Sequence, residues 1–328
     1  MNNMAIVFPG QGSQQTGILS DLYKNYKNII KNTFEEASDI LNYNMWKLIQ
    51  KNKNNEINLT YKTQPAILTV SVALWRILQN FVKFTPYVMV GHSFGEYSAL
   101  VCANSLSFSE AIKLVYIRGK LMQKLLIKNS YVSVYVILGL NPSIVGNFCE
   151  FISKENEFVS ISAYNSPEQT VITGNDIAVN KVIKKCKELG SKCIKLNVKV
   201  PSHCSLMKPI LKRFSNFLKK IKISKPIIPV LNNAYNSVEN DPKKIKKALV
   251  TQLYKIVYWN KISNYFYLNK INTLIEIGYK NILINLTKKN IGNIKGILVN
   301  NNKSLNKIYN LISKINEKQK NSFSYWRK

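Results

Sequence analysis

Apolar positions along the first third of the chain alternate between two spacings. Met4 to Phe8 is a continuous apolar run, short enough for a strand buried on both faces, and it breaks into Pro9-Gly10-Gln11-Gly12-Ser13-Gln14, a loop obliged to turn tightly. Helical periodicity follows over 19–41 and again over 64–81, where Ile67, Leu68, Val72, Leu74, Trp75 and Leu78 recur. Val88-Met89-Val90 reads as a second buried strand, and it runs into Gly91-His92-Ser93-Phe94-Gly95-Glu96. Helical spacing then resumes through Ala99, Leu100 and Ala103, and again through Ala111, Leu114, Val115, Leu121, Met122 and Leu125. Strand and helix in alternation predict an α/β layer architecture around a parallel sheet.

The rhythm changes between 127 and 199. Val132–Leu138 has strand character, and Asn141-Pro142 supplies an N-cap and first-turn pair for a helix running to about Ser153. Short β-rich runs at 159–163 and 170–173 flank the turn Asn165-Ser166-Pro167. Asn175-Asp176 is expected to cap a second helix that Gly190 stops, and 193–198 is expected to be a last strand. That β-α-β-β-α-β order is the split βαβ, ferredoxin-like pattern. Past Pro201 the alternation returns, with apolar segments at 206–221, 227–231, 245–253, 274–277, 282–286 and 294–299. The expected organisation is a discontinuous large domain at 1–126 and 200–316, a small inserted domain at 127–199, and a polar, basic tail at 317–328 that frays.

Composition removes several classes of function. The best apolar run, Val132 to Leu140, is interrupted by Ser133 and is about half of the ~18 residues a membrane span needs. No charged segment followed by a long apolar one marks a secretory signal at the N-terminus, so a soluble cytoplasmic protein with no membrane partner is expected. Net charge is +30, yet only Arg76, Arg118, Arg213 and Arg327 are arginines, and the lysines are scattered among many Asn, Ile and Tyr. A nucleic-acid surface would cluster Arg with aromatics on one face, so no nucleic-acid partner is expected. The diffuse positive field would still attract phosphates and acidic proteins. Five cysteines form no CxxC pair and the chain has only His92 and His203, which leaves no zinc site at standard spacing and points to reduced, buried thiols.

Gly91-His92-Ser93-Phe94-Gly95 matches G-x-S-x-G with a strand before it and a helix after it. A serine on such a turn needs small flanking residues where backbones pass closely, and the turn raises its hydroxyl above the sheet beside a helix N-terminus. The plainer reading is that Ser93 and Glu96 form a capping box, S-x-x-E. His203, beyond Pro201 at the end of an expected strand, is the better candidate for the base, because His92 is adjacent to Ser93 and neighbouring side chains on a tight turn diverge. A structural histidine is the alternative. Gln11 sits where its backbone N–H could join that of Phe94 as a two-donor oxyanion hole. A phosphate-cradling loop there lacks the downstream Gly and Lys. Arg118 is an arginine kept in a lysine-rich helix, which suits bidentate recognition of a carboxylate, with a solvent-facing role as the alternative.

Taken together, these residues resemble malonyl-CoA:acyl carrier protein transacylases of bacterial type II fatty acid synthesis. The matching segments are Phe8-Pro9-Gly10-Gln11-Gly12-Ser13-Gln14, Thr63-Gln64-Pro65-Ala66, Gly91 to Ala99, Arg118-Gly119, Asn165-Ser166-Pro167, Pro201-Ser202-His203 and Gln252-Leu253-Tyr254, collinear from residue 4 to about 300. The resemblance implies an α/β-hydrolase-like large domain with a ferredoxin-like insertion. It implies Ser93 as acylated nucleophile, His203 as general base, the Gln252 main-chain carbonyl as its orienter, Gln11 and Phe94 as oxyanion donors, and Arg118 as receptor for the malonyl carboxylate. Asn165 and His92 would be supporting polar residues. The implied reaction is a ping-pong transfer from malonyl-CoA to the phosphopantetheine thiol of an acidic acyl carrier protein, by a monomer holding no cofactor of its own. Departures from the family's pattern fall at Asn129-Ser130-Tyr131-Val132-Ser133, at Lys255-Ile256-Val257-Tyr258 and at Tyr279-Lys280-Asn281. They bear on loop rigidity rather than on the reacting groups. Two other readings remain open here. A serine esterase or thioesterase would need a carboxylate behind the histidine, with Asp176 and Glu168 as candidates, and a non-catalytic basic docking protein would use Ser93 only as a cap.

Overall fold

A computed structural model describes residues 3–14, 16–128, 132–153, 157–198 and 200–325. Its strands are β1 (Met4–Phe8), β2 (Val88–Gly91), β3 (Val132–Leu138), β4 (Val159–Ser166), β5 (Gln169–Asn175), β6 (Lys192–Lys195), β7 (Val230–Leu231), β8 (Val257–Tyr258), β9 (Thr273–Ile277) and β10 (Lys295–Val299). The helices are α1 (Ser20–Leu41), α2 (Met45–Lys51), α3 (Thr60–Phe81), α4 (Gly95–Cys102), α5 (Phe108–Lys128), α6 (Pro142–Ile152), α7 (Asp176–Glu188), α8 (Leu211–Lys220), α9 (Pro242–Gln252), α10 (Trp259–Leu268), α11 (Ile282–Ile291) and α12 (Asn302–Tyr325).

Two five-stranded sheets result, in the orders β10-β9-β1-β2-β7 and β6-β3-β5-β4-β8. Every pairing in the first is parallel. Its strands are short and apolar throughout because both faces are covered: Met4, Ile6 and Phe8 enter one apolar cluster, and Ala5 and Val7 enter another. The second sheet is antiparallel except at its edge, where β8 joins β4 in parallel with Ala163 opposite Val257. One face of it packs Ile137, Ile161 and Ile172 against α6 and α7. On the other face Val134, Ala163 and Val171 form a smaller apolar group with Val257. The architecture is α/β, with the β3-α6-β4-β5-α7-β6 order and the 4-1-3-2 strand arrangement of a ferredoxin-like unit within it.

Local chemistry accounts for where elements start and stop. Asn141 caps α6, its side chain accepting from the Ser143 N–H at 2.9 Å, with Pro142 in the first turn. Asn175 stands at the N-cap of α7, but its side chain accepts instead from the Phe158 N–H at 2.9 Å, and Asp176 accepts from the Ser133 hydroxyl. The expected side-chain cap is therefore replaced by two ties to neighbouring strands. The expected strand at 193–198 is β6, which begins at Lys192 and ends at Lys195. The apolar segment 206–221 divides at Pro209 into a 3-10 turn, Ser205–Ile210, and α8, since proline cannot donate into a continuous helix. In 227–231 only Val230 and Leu231 are strand, because Pro229 brings no N–H to the ladder. The periodicity reading also passed over α2, α10 and β8. At the other end, α12 runs on to Tyr325, through the segment expected to fray, and 302–325 contains neither Gly nor Pro to stop it. Of the noted departures, 129–131 lies outside the described residues.

Candidate active site

The serine elbow is built by close approach. Chain leaves β2 at Gly91 and enters α4 at Gly95. A Cβ on Gly91 would sit 1.8 Å from the Gly95 carbonyl carbon, and one on Gly95 would sit 2.1 Å from the Phe8 carbonyl oxygen, so the turn closes only with glycine at both places. Between them Ser93 takes φ +52°, a left-handed conformation costly for a side chain that needs a reason to be there. Its N–H donates to Asn233 Oδ1 at 2.9 Å. Its hydroxyl points to His203, with Oγ 2.5 Å from Nε2. The Ser93 side chain makes no cap for α4, and the Glu96 carboxylate turns to Asn233 and Gln252, so the capping-box reading of S-x-x-E does not describe this turn.

His203 arrives from the far side of the cleft on a backbone that is also left-handed, φ +66°, fixed by its N–H donating to Leu253 O at 2.9 Å. Its Nδ1 lies 2.9 Å from the Gln252 carbonyl and 3.1 Å from that of Lys255. Carbonyl oxygens only accept, so Nδ1 carries the hydrogen and Nε2 presents its lone pair to the serine hydroxyl. Burial, with the charges of Arg118 and His92 adding to it, brings the imidazole pKa down to about 3 and keeps it neutral. Among the described residues no carboxylate hydrogen-bonds to it. Asp176, at the start of α7, is engaged with Ser133, and Glu168 lies in the turn between β4 and β5, its main chain accepting from the Gly139 N–H.

A cavity of about 480 Å³ lies over this pair, between the carboxyl ends of β1 and β2 and the open face of the second sheet. Gln11, His92, Ser93, Phe94, Arg118, Asn165 and His203 all border it, so every site residue that the resemblance implies borders it except Gln252, which stands behind His203. Val134, Val136, Val171 and Leu196 form its apolar wall. Arg118 is 1% exposed, its Nε has no partner, and its guanidinium stands 5.4 Å over the Tyr97 ring. Among the described residues no carboxylate forms an ion pair with it. Burial lowers its pKa, against the smaller opposing effects of Tyr97 and of the Glu96 charge. His92 Nε2 meets Asn165 Oδ1 at 3.0 Å, and its ring packs 5.5 Å from Trp259. A larger cavity, about 760 Å³ beside Arg76, Cys102 and Glu110, touches neither Ser93 nor His203. Among the described residues no group of three or more His, Cys, Asp and Glu side chains converges as a metal site, and no helix is long and apolar enough to cross a membrane.

Sequence reasoning missed Asn233 and Lys255. Asn233 follows β7 at the same carboxyl edge of the parallel sheet that carries the elbow, and that position was the available signal. Lys255 contributes only a carbonyl, which carries no sequence signature, from a segment noted as a departure.

A sequence model of the acyl transferase domain matches residues 5–278. The chain is 43% identical over 310 residues to the malonyl CoA-acyl carrier protein transacylase of Haemophilus influenzae, covering 94% of this chain and 98% of that one. The crystal structure of an acyl carrier protein S-malonyltransferase from Vibrio cholerae superposes with a TM-score of 0.88 at 42% identity, covering 93% of this chain and 99% of the other. A malonyl-transacylase solved in complex with a type II PKS acyl-carrier protein gives a TM-score of 0.88 at 41% identity, with 92% and 97% covered. The chain belongs to the acyl transferase family, among its malonyl CoA-acyl carrier protein transacylases.

Proposed function

We propose that this chain moves a malonyl group from malonyl-CoA to the phosphopantetheine thiol of an acyl carrier protein in fatty acid biosynthesis, through an acyl-enzyme on Ser93. Nε2 of His203 takes the Ser93 proton as Oγ attacks the thioester carbonyl. The main-chain N–H groups of Gln11 and Phe94 stabilise the oxyanion. Both residues border the cavity, and neither N–H is engaged by an acceptor among the described residues. The tetrahedral intermediate expels CoA, whose sulfur takes the proton from His203. The carrier-protein thiol then gives its proton to the same nitrogen and attacks the acyl-serine; the second tetrahedral intermediate expels Ser93 Oγ, which takes that proton back from His203, and the malonyl group leaves on the carrier sulfur. Arg118 receives the malonyl carboxylate, with the Asn165–His92 pair forming a polar wall beside it.

The observation that carries this reading is the 2.5 Å Ser93–His203 contact in one cavity with a buried arginine that, among the described residues, has no ion-pair partner. Two carbonyls behind the histidine suit a transferase better than a hydrolase, because the reading needs no carboxylate partner. The acyl carrier protein of the solved complex is the model for the partner, and a net charge of +30 favours an acidic one. All the groups used come from one chain. Mass spectrometry after mixing with malonyl-CoA tests it. The expected result is a malonyl adduct on Ser93 that carrier-protein thiol discharges faster than water does. Rapid discharge by water would make the protein a thioesterase, and no adduct would make it a docking protein.

A further inference from the structure

Behind the elbow, away from the cavity, lie three buried polar side chains whose roles the transfer chemistry leaves unassigned. Glu96, Asn233 and the Gln252 carboxamide are each 1% exposed, and none borders the cavity. They come from α4, from the chain after β7 and from the end of α9. A single oxygen, Glu96 Oε2, accepts from the Asn233 N–H at 2.9 Å, from Asn233 Nδ2 at 2.9 Å and from Gln252 Nε2 at 2.7 Å. Asn233 then reaches the elbow twice, its Oδ1 accepting from the Ser93 N–H at 2.9 Å and its Nδ2 donating to Gly91 O at 2.7 Å. Gln252 Nε2 also donates to Ser93 O at 2.9 Å, while the main-chain carbonyl of the same residue accepts from His203 Nδ1 at 2.9 Å.

We infer that Glu96 and Asn233 are positioning residues that hold the serine elbow and the carbonyl behind His203 in one register. The inference rests on the Ser93–His203 reading and deepens it. Neither residue touches the reacting atoms. The Glu96 carboxylate ties together the two residues that fix nucleophile and base, so a shift of either partner disturbs both. A carboxylate is buried at high cost unless donors meet it, and three do. Helix capping does not explain the placement, since the Ser93 N–H that a capping carboxylate would take is already held by Asn233. A salt bridge does not explain it either, since among the described residues no cation is in ion-pair contact with Glu96, and Arg118 acts on it only as a more distant charge, the smallest of the influences on its carboxyl.

Three variants test the inference: Glu96→Ala, Glu96→Gln and Gln252→Met, the last removing the Nε2 donor at nearly constant volume. Two rates are measured, malonyl transfer and labelling of Ser93 by a fluorophosphonate, which needs no acyl substrate. Glu96→Ala leaves three buried donors unpaired and is expected to lower kcat by about 10- to several-hundredfold. Its KM for malonyl-CoA should stay within about threefold of wild type, and labelling should slow in parallel. Gln252→Met should show the same split. Glu96→Gln keeps an acceptor oxygen in place and should restore both rates to within about tenfold. A folded Glu96→Ala with wild-type kcat and labelling rate overturns the inference, as does a loss that falls on KM alone. Should Glu96→Ala not fold, Gln252→Met decides by the same criteria. If wild type labels at Ser93 yet moves no malonyl group, the proposed transfer fails and the labelling rates alone judge the positioning role.

Discussion

At the scale of single residues, two predictions separate recognition from chemistry. Arg118 is a buried cation with an open nitrogen and, among the described residues, no carboxylate in ion-pair contact, so its expected partner is the substrate carboxylate. Losing one member of such a pair costs about 2–5 kcal/mol, which is about 30- to several-thousandfold in rate. Arg118→Ala should therefore lose malonyl transfer by that factor while an uncharged acetyl group is handled as well or better. Parallel losses for the two substrates would take the carboxylate away from Arg118. The second prediction concerns His203, whose pKa is lowered to about 3 from an ordinary 6.5 by burial first and by Arg118 and His92 next. Between those values the unfolded chain binds a proton that the folded one refuses. The stability tied to this group is thus complete above about pH 6.5 and is lost progressively as pH falls toward 3. Urea unfolding of wild type and His203→Gln should show a stability difference that shifts against wild type between about pH 7 and pH 4, and parallel curves would contradict it. Ser93 and His203 were legible in the sequence because a nucleophile on a glycine-flanked turn needs a base and the chain has two histidines. Asn233 was not, because its value lies in meeting a backbone N–H 140 residues away, which no local pattern records.

At the scale of elements, the walls of the site are held by features of differing legibility. Short runs such as β1 and β2 were readable because a parallel sheet covered on both faces requires unbroken apolar residues. The two-residue β8 was not, since Val257–Tyr258 is too short to show a period, and it is recognised only through its pairing with β4 and the Tyr258–Tyr164 stack at 5.3 Å. It begins two residues after Lys255, whose carbonyl faces His203, so the departing segment 255–258 ties the second sheet to the base. The apolar segment at 282–286 marked where α11 starts but not what holds that start, for the helix has no side-chain cap of its own. Glu276, wholly buried on β9, instead accepts from the N–H groups of Ile282, Leu283 and Ile284, each at 3.0 Å. Burial pushes its carboxyl up to about 7 against those three donors. Because Ile282, Leu283 and Leu286 border the cavity, this cap sets one of its walls. Glu276→Ala leaves the buried N–H groups of Leu283 and Ile284 without an acceptor, at about 1–3 kcal/mol each where water does not replace it, while the Ile282 N–H keeps Lys280 O at 2.9 Å. We expect a loss of at least about 2 kcal/mol in urea unfolding at unchanged m-value. A shift under about 1 kcal/mol would mean that the helix is held from elsewhere.

At the scale of the whole molecule, the net charge of +30 acts on folding and on encounter in opposite senses. Ion pairs found among the described residues engage Lys31, Lys62, Arg76 and Lys181, a small part of the 47 basic groups. The unbalanced remainder repels itself most strongly when the chain is compact, and that repulsion weakens as the screening length shortens from about 30 Å at 0.01 M salt to about 3 Å at 1 M. Raising NaCl from about 0.02 to about 0.5 M should therefore raise the urea midpoint and then level off. Urea is the required denaturant, because guanidinium chloride is itself a salt. The same titration should slow transfer to an acidic carrier protein, since a long-range field acts chiefly on association rate. Acylation of Ser93 by a neutral fluorophosphonate has no charge to steer and should not change. A more stable protein that docks its carrier more slowly, with an unaltered nucleophile, is the expected combination. If the midpoint falls with salt instead, the lysines are balanced in the folded state by contacts stronger than their mutual repulsion. If docking does not slow, the positive surface plays no part in bringing the carrier thiol to the cavity.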